Sequence, residues 1–506
     1  MKKALLSSAL LSLASIVIAG ENIGGFKVSW NGSPVKVHPA RVSAFPMNQV
    51  WAGYQRPIEQ TKMSSFVSFD METEGELSVA LPDGAEEPML LPMGRTWNKC
   101  VESGVLRIKV DKPQQFVVKF GEEGEELQVF ANPPFKKPAD GDIIYFGPGE
   151  HYVGIVAPKS NQTLVIDEGA IVYGSVQVFN AENVKICGRG IVDGSFLERA
   201  DRNSPAFKNA VKEGLPPTLY GAEMAVTTFT CAWATNVVVE GITFRNPPRW
   251  TMIVRTNSKD VLIDNVKIVG CYRYNADGIN MCASENVLVR NSYLRTFDDC
   301  LIARGSYLDK SGAVTRNVGA ENCVLWCDWG KCLEVWAGGR PCIIENVVYR
   351  NIECIHQNAF AASITTWFAS ADTLIRNVTI DNIEVDYWGK RYQNYMQKSR
   401  DDATFKKVPK KSETLISMDV PFYGVDLGNQ QCAKAEDLSQ FKVRFEDITC
   451  KNFKVYGKVE NLRCYINANR APHEIRGLEL DNMPENLRYD IRGKVYDKKS
   501  GKKIGK

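Results

Sequence analysis

Three carboxylates crowd a short stretch in the middle of the chain. Asn275-Ala276-Asp277 is followed by Phe297-Asp298-Asp299, with Asp277 lying 21 residues before Asp298 and 22 before Asp299. Like charges that share a site push one pKa up and leave the others ionised. That split provides one acid and one base, the pair that cleavage of a glycosidic bond requires. Crowded carboxylates repel, so a fold gains no stability from placing them together. The bland alternative is a ladder of Asn and Asp turns with ordinary surface carboxylates. Adjacent Asp298-Asp299 at the end of an apolar strand argues against it, because charge in such a place is costly.

The claim that these residues meet rests on a repeat. Asn236-Val-Val-Val-Glu-Gly and Asp260-Val-Leu-Ile-Asp-Asn are followed by Asn286-Val-Leu-Val-Arg-Asn and Asn317-Val-Gly-Ala-Glu-Asn, then by Asn346-Val-Val-Tyr-Arg-Asn and Asn377-Val-Thr-Ile-Asp-Asn. The steps are 24, 26, 31, 29 and 31 residues, read from those positions. Each β-branched triplet reads as a strand and the Asn residues as turns around it. A period of this size with short strands predicts one coil of a parallel β-helix per repeat. The acids then sit one coil apart, about 4.8 Å at the backbone.

The 506 residues predict two domains. From Gly20 to Gly141 apolar and polar residues alternate, as in Phe116-Val-Val-Lys-Phe120, which predicts a β-sandwich. The stretch from Phe130 to Gly141 reads as the linker into the helix. The helix is expected over 142–485, and 486–506 is expected to be a frayed basic tail around Lys498 and Lys499. Two insertions, Phe196 to Glu223 and Tyr387 to Gln440, are expected to build the walls of a binding groove.

Lys2, Lys3 and the apolar run Ala4 to Ile18 read as an export signal cleaved after Ala19, giving a periplasmic or secreted product. No other apolar run is long enough for a transmembrane segment. A net charge of +3 argues against a nucleic-acid footprint. The 14 Cys are expected to stack mostly as free thiols inside the coils. Cys323, Cys327 and Cys332 lack the spacing of a zinc site. No metal or cofactor is expected, and the partner is a polysaccharide met by a monomer.

These motifs resemble glycoside hydrolase family 28, the pectinase-type β-helix enzymes. Asn275-Ala276-Asp277 and Asp298-Asp299 are similar to the family's Asn-Thr-Asp and Gly-Asp-Asp. Asn246-Pro-Pro-Arg-Trp250 and Gly188-Arg-Gly-Ile-Val-Asp193-Gly resemble earlier turns of its helix. The resemblance covers roughly Asp142 to Ile383. It implies an inverting polygalacturonase-like hydrolase in which Asp298 is the general acid and Asp277 and Asp299 activate water. The family's Gly-His-Gly and Arg-Ile-Lys have no counterpart. Where the first should fall stands Asp328-Trp329-Gly330-Lys331. The two-domain plan is similar to family 49, the dextranase and isopullulanase group, so an α-glucan stays open as substrate. A polysaccharide lyase and a non-catalytic carbohydrate-binding helix are the remaining alternatives.

Further candidates surround the acids. Asn275 belongs to the first motif. Lys331 stands in for the missing His or faces solvent. Arg304 either binds a sugar carboxylate or pairs with Asp299. Trp250, Trp329 and Trp336 are candidate stacking surfaces for sugar rings, with core packing the alternative for Trp336. His356 is expected to be structural.

Overall fold

The computed structural model describes residues 26–44, 58, 61–81, 85–122, 124–197, 227–305, 313–338, 342–367, 372–391, 410–422, 442–469 and 472–506. The export-signal residues, most of the first expected insertion and much of the second lie outside the described residues.

Strands from Lys27 to Asn132 form two five-stranded sheets. One orders Ser33–Val35, Lys27–Trp30, Gly75–Ala80, Val105–Val110 and Lys99–Glu102. The other orders Val37–Ser43, Thr61–Asp70, Glu126–Asn132, Gln114–Phe120 and Pro88–Leu91. Their facing side chains, among them Leu77, Ile108, Phe116 and Val118, bury one shared core. The alternating sequence produces this layer directly, because successive side chains on a strand point to opposite faces.

From Asp142 to Asp497 the chain winds as one 27-stranded parallel sheet closed into coils, and the described residues carry no α-helix. Around the acids the cross-coil pairs keep register: Ile279 opposes Leu301, Leu301 opposes Leu333, and Leu333 opposes Ala362. Inward side chains such as Met281, Ala303 and Val335 stack into a continuous apolar core.

The Asn residues of the repeats hold the turns. Asn286, Asn317, Asn346 and Asn377 all have φ between 54° and 57°. Asn tolerates this left-handed region better than most residues. Their side chains bond one another from coil to coil, at 3.0 Å for Asn317 to Asn286 and 2.8 Å for Asn346 to Asn317. The described Cys residues are free thiols, and those in the coils are buried.

The sandwich packs against the helix through Phe66, Val117 and Phe130 on one side and Val269, Tyr293 and Trp326 on the other. A buried ion pair crosses the same junction, Arg295 Nη1 to Glu126 Oε1 at 2.7 Å.

Two expectations are corrected. The segment 486–506 is not frayed: Arg488–Gly493 pairs with Leu462–Ala468, and Val495–Asp497 pairs with Glu474–Asp481. Leu487 and Val495 are buried there, and the open edge of the preceding coil finds its hydrogen-bond partners in this last one. Tyr387 to Gln440 is not one insertion either, because Glu413–Phe422 within it forms a coil strand paired with Phe360–Trp367.

Candidate functional site

Each coil has one strand series whose outward side chains face away from the core: Met252–Arg255, Ile279–Cys282, Leu301–Arg304 and Leu333–Gly338. The turns entering these strands stack along one edge of the helix. Thr251 donates its N–H to the carbonyl of Asp277, and Gly278 donates to that of Asp299. Cys300 continues the series to Lys331. Asp277, Asp299 and Lys331 thereby occupy equivalent positions on three successive coils. This is the juxtaposition expected from the spacing of 22 residues.

Asp277 and Asp299 are buried and Asp298 is half-buried. Asn275, itself in the left-handed region, donates from Nδ2 to Oδ2 of Asp298 at 3.3 Å. Gly330 closes the cradle, because a Cβ there would lie 2.3 Å from Oδ1 of Asp299 and 2.6 Å from Oδ1 of Asp298. Glycine is required by this close approach.

Lys331 does not face solvent. Its Nζ lies 2.7 Å from Oε1 of Glu334 and 3.3 Å from Oδ2 of Asp299, and its backbone N–H donates to Oδ1 of Asp299 at 2.8 Å. Arg304 pairs with Asp277, at 3.6 Å, rather than with Asp299. Its guanidinium is clamped between the rings of Trp250 and Trp336, 4.5 Å from each centroid.

The tryptophans divide accordingly. Trp250 and Trp336 are only 4% and 7% exposed, so neither offers a sugar ring an open face. The expectation of a stacking surface at Trp250 is corrected: packing against Arg304 takes its ring. Trp329 is half-buried and lies parallel to Phe297, with centroids 6.0 Å apart. His356 is structural, with Nδ1 against the carbonyl of Cys327 at 2.8 Å and its ring on Trp326.

The surroundings split the acids. Burial and then the charge on Asp299 push Asp298 up to about 7. Burial works to raise Asp299 as well, but the Lys331 ammonium, a hydrogen bond with Glu334 and the Lys331 N–H outweigh it, and Asp299 lies below the ordinary carboxylate range. Burial, then the charges of Asp298 and Asp299, push Asp277 well up against the pull of Arg304 and Arg249. The triad is therefore not three equal carboxylates. Asp299 holds the charge.

Two residues of the site escaped the sequence reading. Glu334 is 1% exposed and in contact with Lys331, yet in the sequence it is one polar residue in an apolar strand. Its signal was the alternation Leu333-Glu334-Val335, which turns it to the same outward side as Arg304. Gly330 reads in the sequence only as part of Asp328-Trp329-Gly330-Lys331, which does not match Gly-His-Gly.

Fold and site together define a class: a parallel β-helix with an acidic triad on one turn edge. Residues 174–387 match the model of glycosyl hydrolases family 28. Among curated relatives, the chain is 31% identical over 225 residues to probable exopolygalacturonase B of Aspergillus fumigatus, covering 41% of this chain and 44% of that protein. It is 27% identical over 190 residues to the exopolygalacturonase of Cochliobolus carbonum, covering 33% and 40%. The chain thus spans less than half the length of the relatives it matches. Among solved structures, Dex49A from Penicillium minioluteum aligns with a TM-score of 0.48 and 14% identity, over 85% of this chain and 93% of that one.

Proposed function

We propose that the protein is a polygalacturonase-like glycoside hydrolase that acts with inversion. The observation that carries this reading is the meeting of Asp277, Asp298 and Asp299 on one turn edge, where burial and the charge on Asp299 push Asp298 up while Lys331 holds Asp299 below its ordinary range against burial. A general acid needs its proton near neutral pH and a base needs to be without one.

In this reading Asp298, the more accessible of the three, gives its proton to the glycosidic oxygen as the bond to the anomeric carbon breaks. Water adds to that carbon from the opposite face and passes a proton to Asp299. Asp277, whose buried Oδ1 has no hydrogen-bond partner among the described residues, orients the water. Arg304 holds Asp277 from behind. Trp329, on the next turn, offers the accessible ring for a sugar face. The pattern Lys2 to Ala19 supports an exported enzyme.

A second substrate reading, a neutral α-glucan, is favoured by one observation. Lys331 is already engaged by Asp299 and Glu334, and Arg304 by Asp277 and the rings of Trp250 and Trp336. Purified protein incubated with polygalacturonate and, in parallel, with dextran decides between them. Release of reducing ends identifies the substrate, and the anomer first seen by proton NMR gives the stereochemistry. A hydrolase of either kind yields new reducing ends with the inverted anomer. Retention of configuration, or unsaturated products, overturns the mechanism.

A further inference from the structure

Glu334 stands on the outward side of the strand Leu333–Gly338, between the inward residues Leu333 and Val335. In register it meets Ile302 on the preceding coil and Ser363 on the following one, neither of which carries charge. The Tyr349 hydroxyl reaches only its backbone carbonyl, at 3.1 Å. Among the described residues, the charged groups that face its carboxyl are Asp299 and Lys331.

Two nearly dry carboxyls thus share one ammonium, at 2.7 Å for Glu334 and 3.3 Å for Asp299. If both were ionised, one buried cation would serve two buried anions beside a third carboxyl, and the excess charge would be expensive. A proton on one of them removes the excess and creates a hydrogen-bond donor. Asp299 has two donors from Lys331, its backbone N–H and its Nζ. Glu334 has only the Nζ, so the proton belongs on Glu334.

We propose that Glu334 is a positioning residue that works as a neutral carboxylic acid, accepting a hydrogen bond from Lys331 and donating one to Asp299. Asp299 then carries the whole charge of the network and is held at the edge where water is attacked. The inference rests on the reading of Asp299 as the base. Burial, followed by the charge on Asp299, pushes Glu334 up to about 8, in keeping with a proton retained at neutral pH. Above that pH Glu334 ionises, draws Lys331 to itself and withdraws its donor from Asp299. Activity then falls with a second proton, beyond the one lost from Asp298.

The test is kcat/KM against pH, over roughly pH 4 to 10, for wild type, Glu334→Gln and Glu334→Leu on polygalacturonate or dextran, whichever the wild type cleaves. Gln keeps a donor and an acceptor and cannot ionise. Glu334→Gln should stay within about threefold of wild type near pH 6, and its alkaline limb should fall with one proton where the wild type falls with two. Glu334→Leu should lose about tenfold or more, because a hydrogen bond to a charged group is gone, and its acid limb should move to higher pH. Superimposed alkaline limbs for wild type and Glu334→Gln overturn the proposal, as does Glu334→Gln being as damaged as Glu334→Leu. Should Glu334→Leu fail to fold, the comparison of alkaline limbs still decides. A wild type inert on both polymers removes the hydrolase reading itself, whereas an active wild type with superimposed limbs removes only the role of Glu334.

Discussion

Gly330 and Asp299 meet across one coil with no room for a side chain between them: a Cβ at 330 would stand 2.3 Å from Oδ1 of Asp299. The same Cβ would press on Asp298, so one hydrogen atom sets the position of both carboxyls. Gly330→Ala should therefore cost at least about a hundredfold in kcat, the scale seen when a catalytic group is displaced by about an ångström. Circular dichroism should be unchanged, because the coil core beneath is untouched. Wild-type kcat in Gly330→Ala would show that the acids are not held by this contact.

Arg304 is expected to act on Asp277 rather than on a sugar carboxylate. Arg304→Met removes the charge and keeps much of the packing between Trp250 and Trp336. It should lower kcat by about ten- to a hundredfold, as loss of a charge-assisted contact in an active site does. KM for the cleaved polymer should move little. A large rise in KM with kcat unchanged would assign Arg304 to substrate binding.

Stability should respond to pH through Asp298, and the sign is fixed. Its folded pKa of about 7 lies above the ordinary value of 3.8, so between those two values the folded protein binds more protons than the unfolded chain. Its contribution is fully present below about 3.8 and is lost as pH rises to about 7. Asp298→Asn has no such loss. Its free energy of unfolding should draw ahead of wild type through that window, by about 1–2 kcal/mol once the partial solvent contact of Asp298 is allowed for. A gap that shrinks with rising pH would contradict the raised pKa.

Glu126 and Arg295 join the sandwich to the helix, both 1% exposed in their side chains. Glu126→Gln takes the nearer anion from the buried Arg295 guanidinium, leaving it Asp328 at 3.9 Å, and takes the anion from buried Lys119 as well. The expected loss is about 3–5 kcal/mol in denaturant unfolding, the usual result of removing one partner from a buried pair. A loss below about 1 kcal/mol would show that water or Asp328 replaces Glu126.

The β-helix and the meeting of the acids were legible in the sequence because both follow from periodicity. The Asn phrases mark the coils, and a spacing of one coil brings Asp277 to Asp299. What the sequence hid were contacts that periodicity does not determine. The partners of Arg304 depend on side-chain direction across three coils, so Trp250 reads as a sugar platform when it is one jaw of a clamp. Glu334 is invisible as a site residue until Lys331 is seen to turn inward. The final coil was obscured by its own composition: the lysines around Ser500 suggest a loose end, although Val495 anchors the last strand and Lys499 pairs with Glu479 at 3.1 Å.

The most direct test of the central claim is the rate of Asp298→Asn on the polymer that the wild type cleaves. Asparagine matches aspartate in shape and cannot supply a proton. A folded variant should lose at least about 10²–10⁴-fold in kcat, the range for general acid catalysis. Asp277→Asn and Asp299→Asn should also be severe, and the three losses should not add, because the triad acts as a unit. A folded Asp298→Asn that keeps more than about a tenth of the wild-type rate would contradict the assignment of Asp298 as the acid.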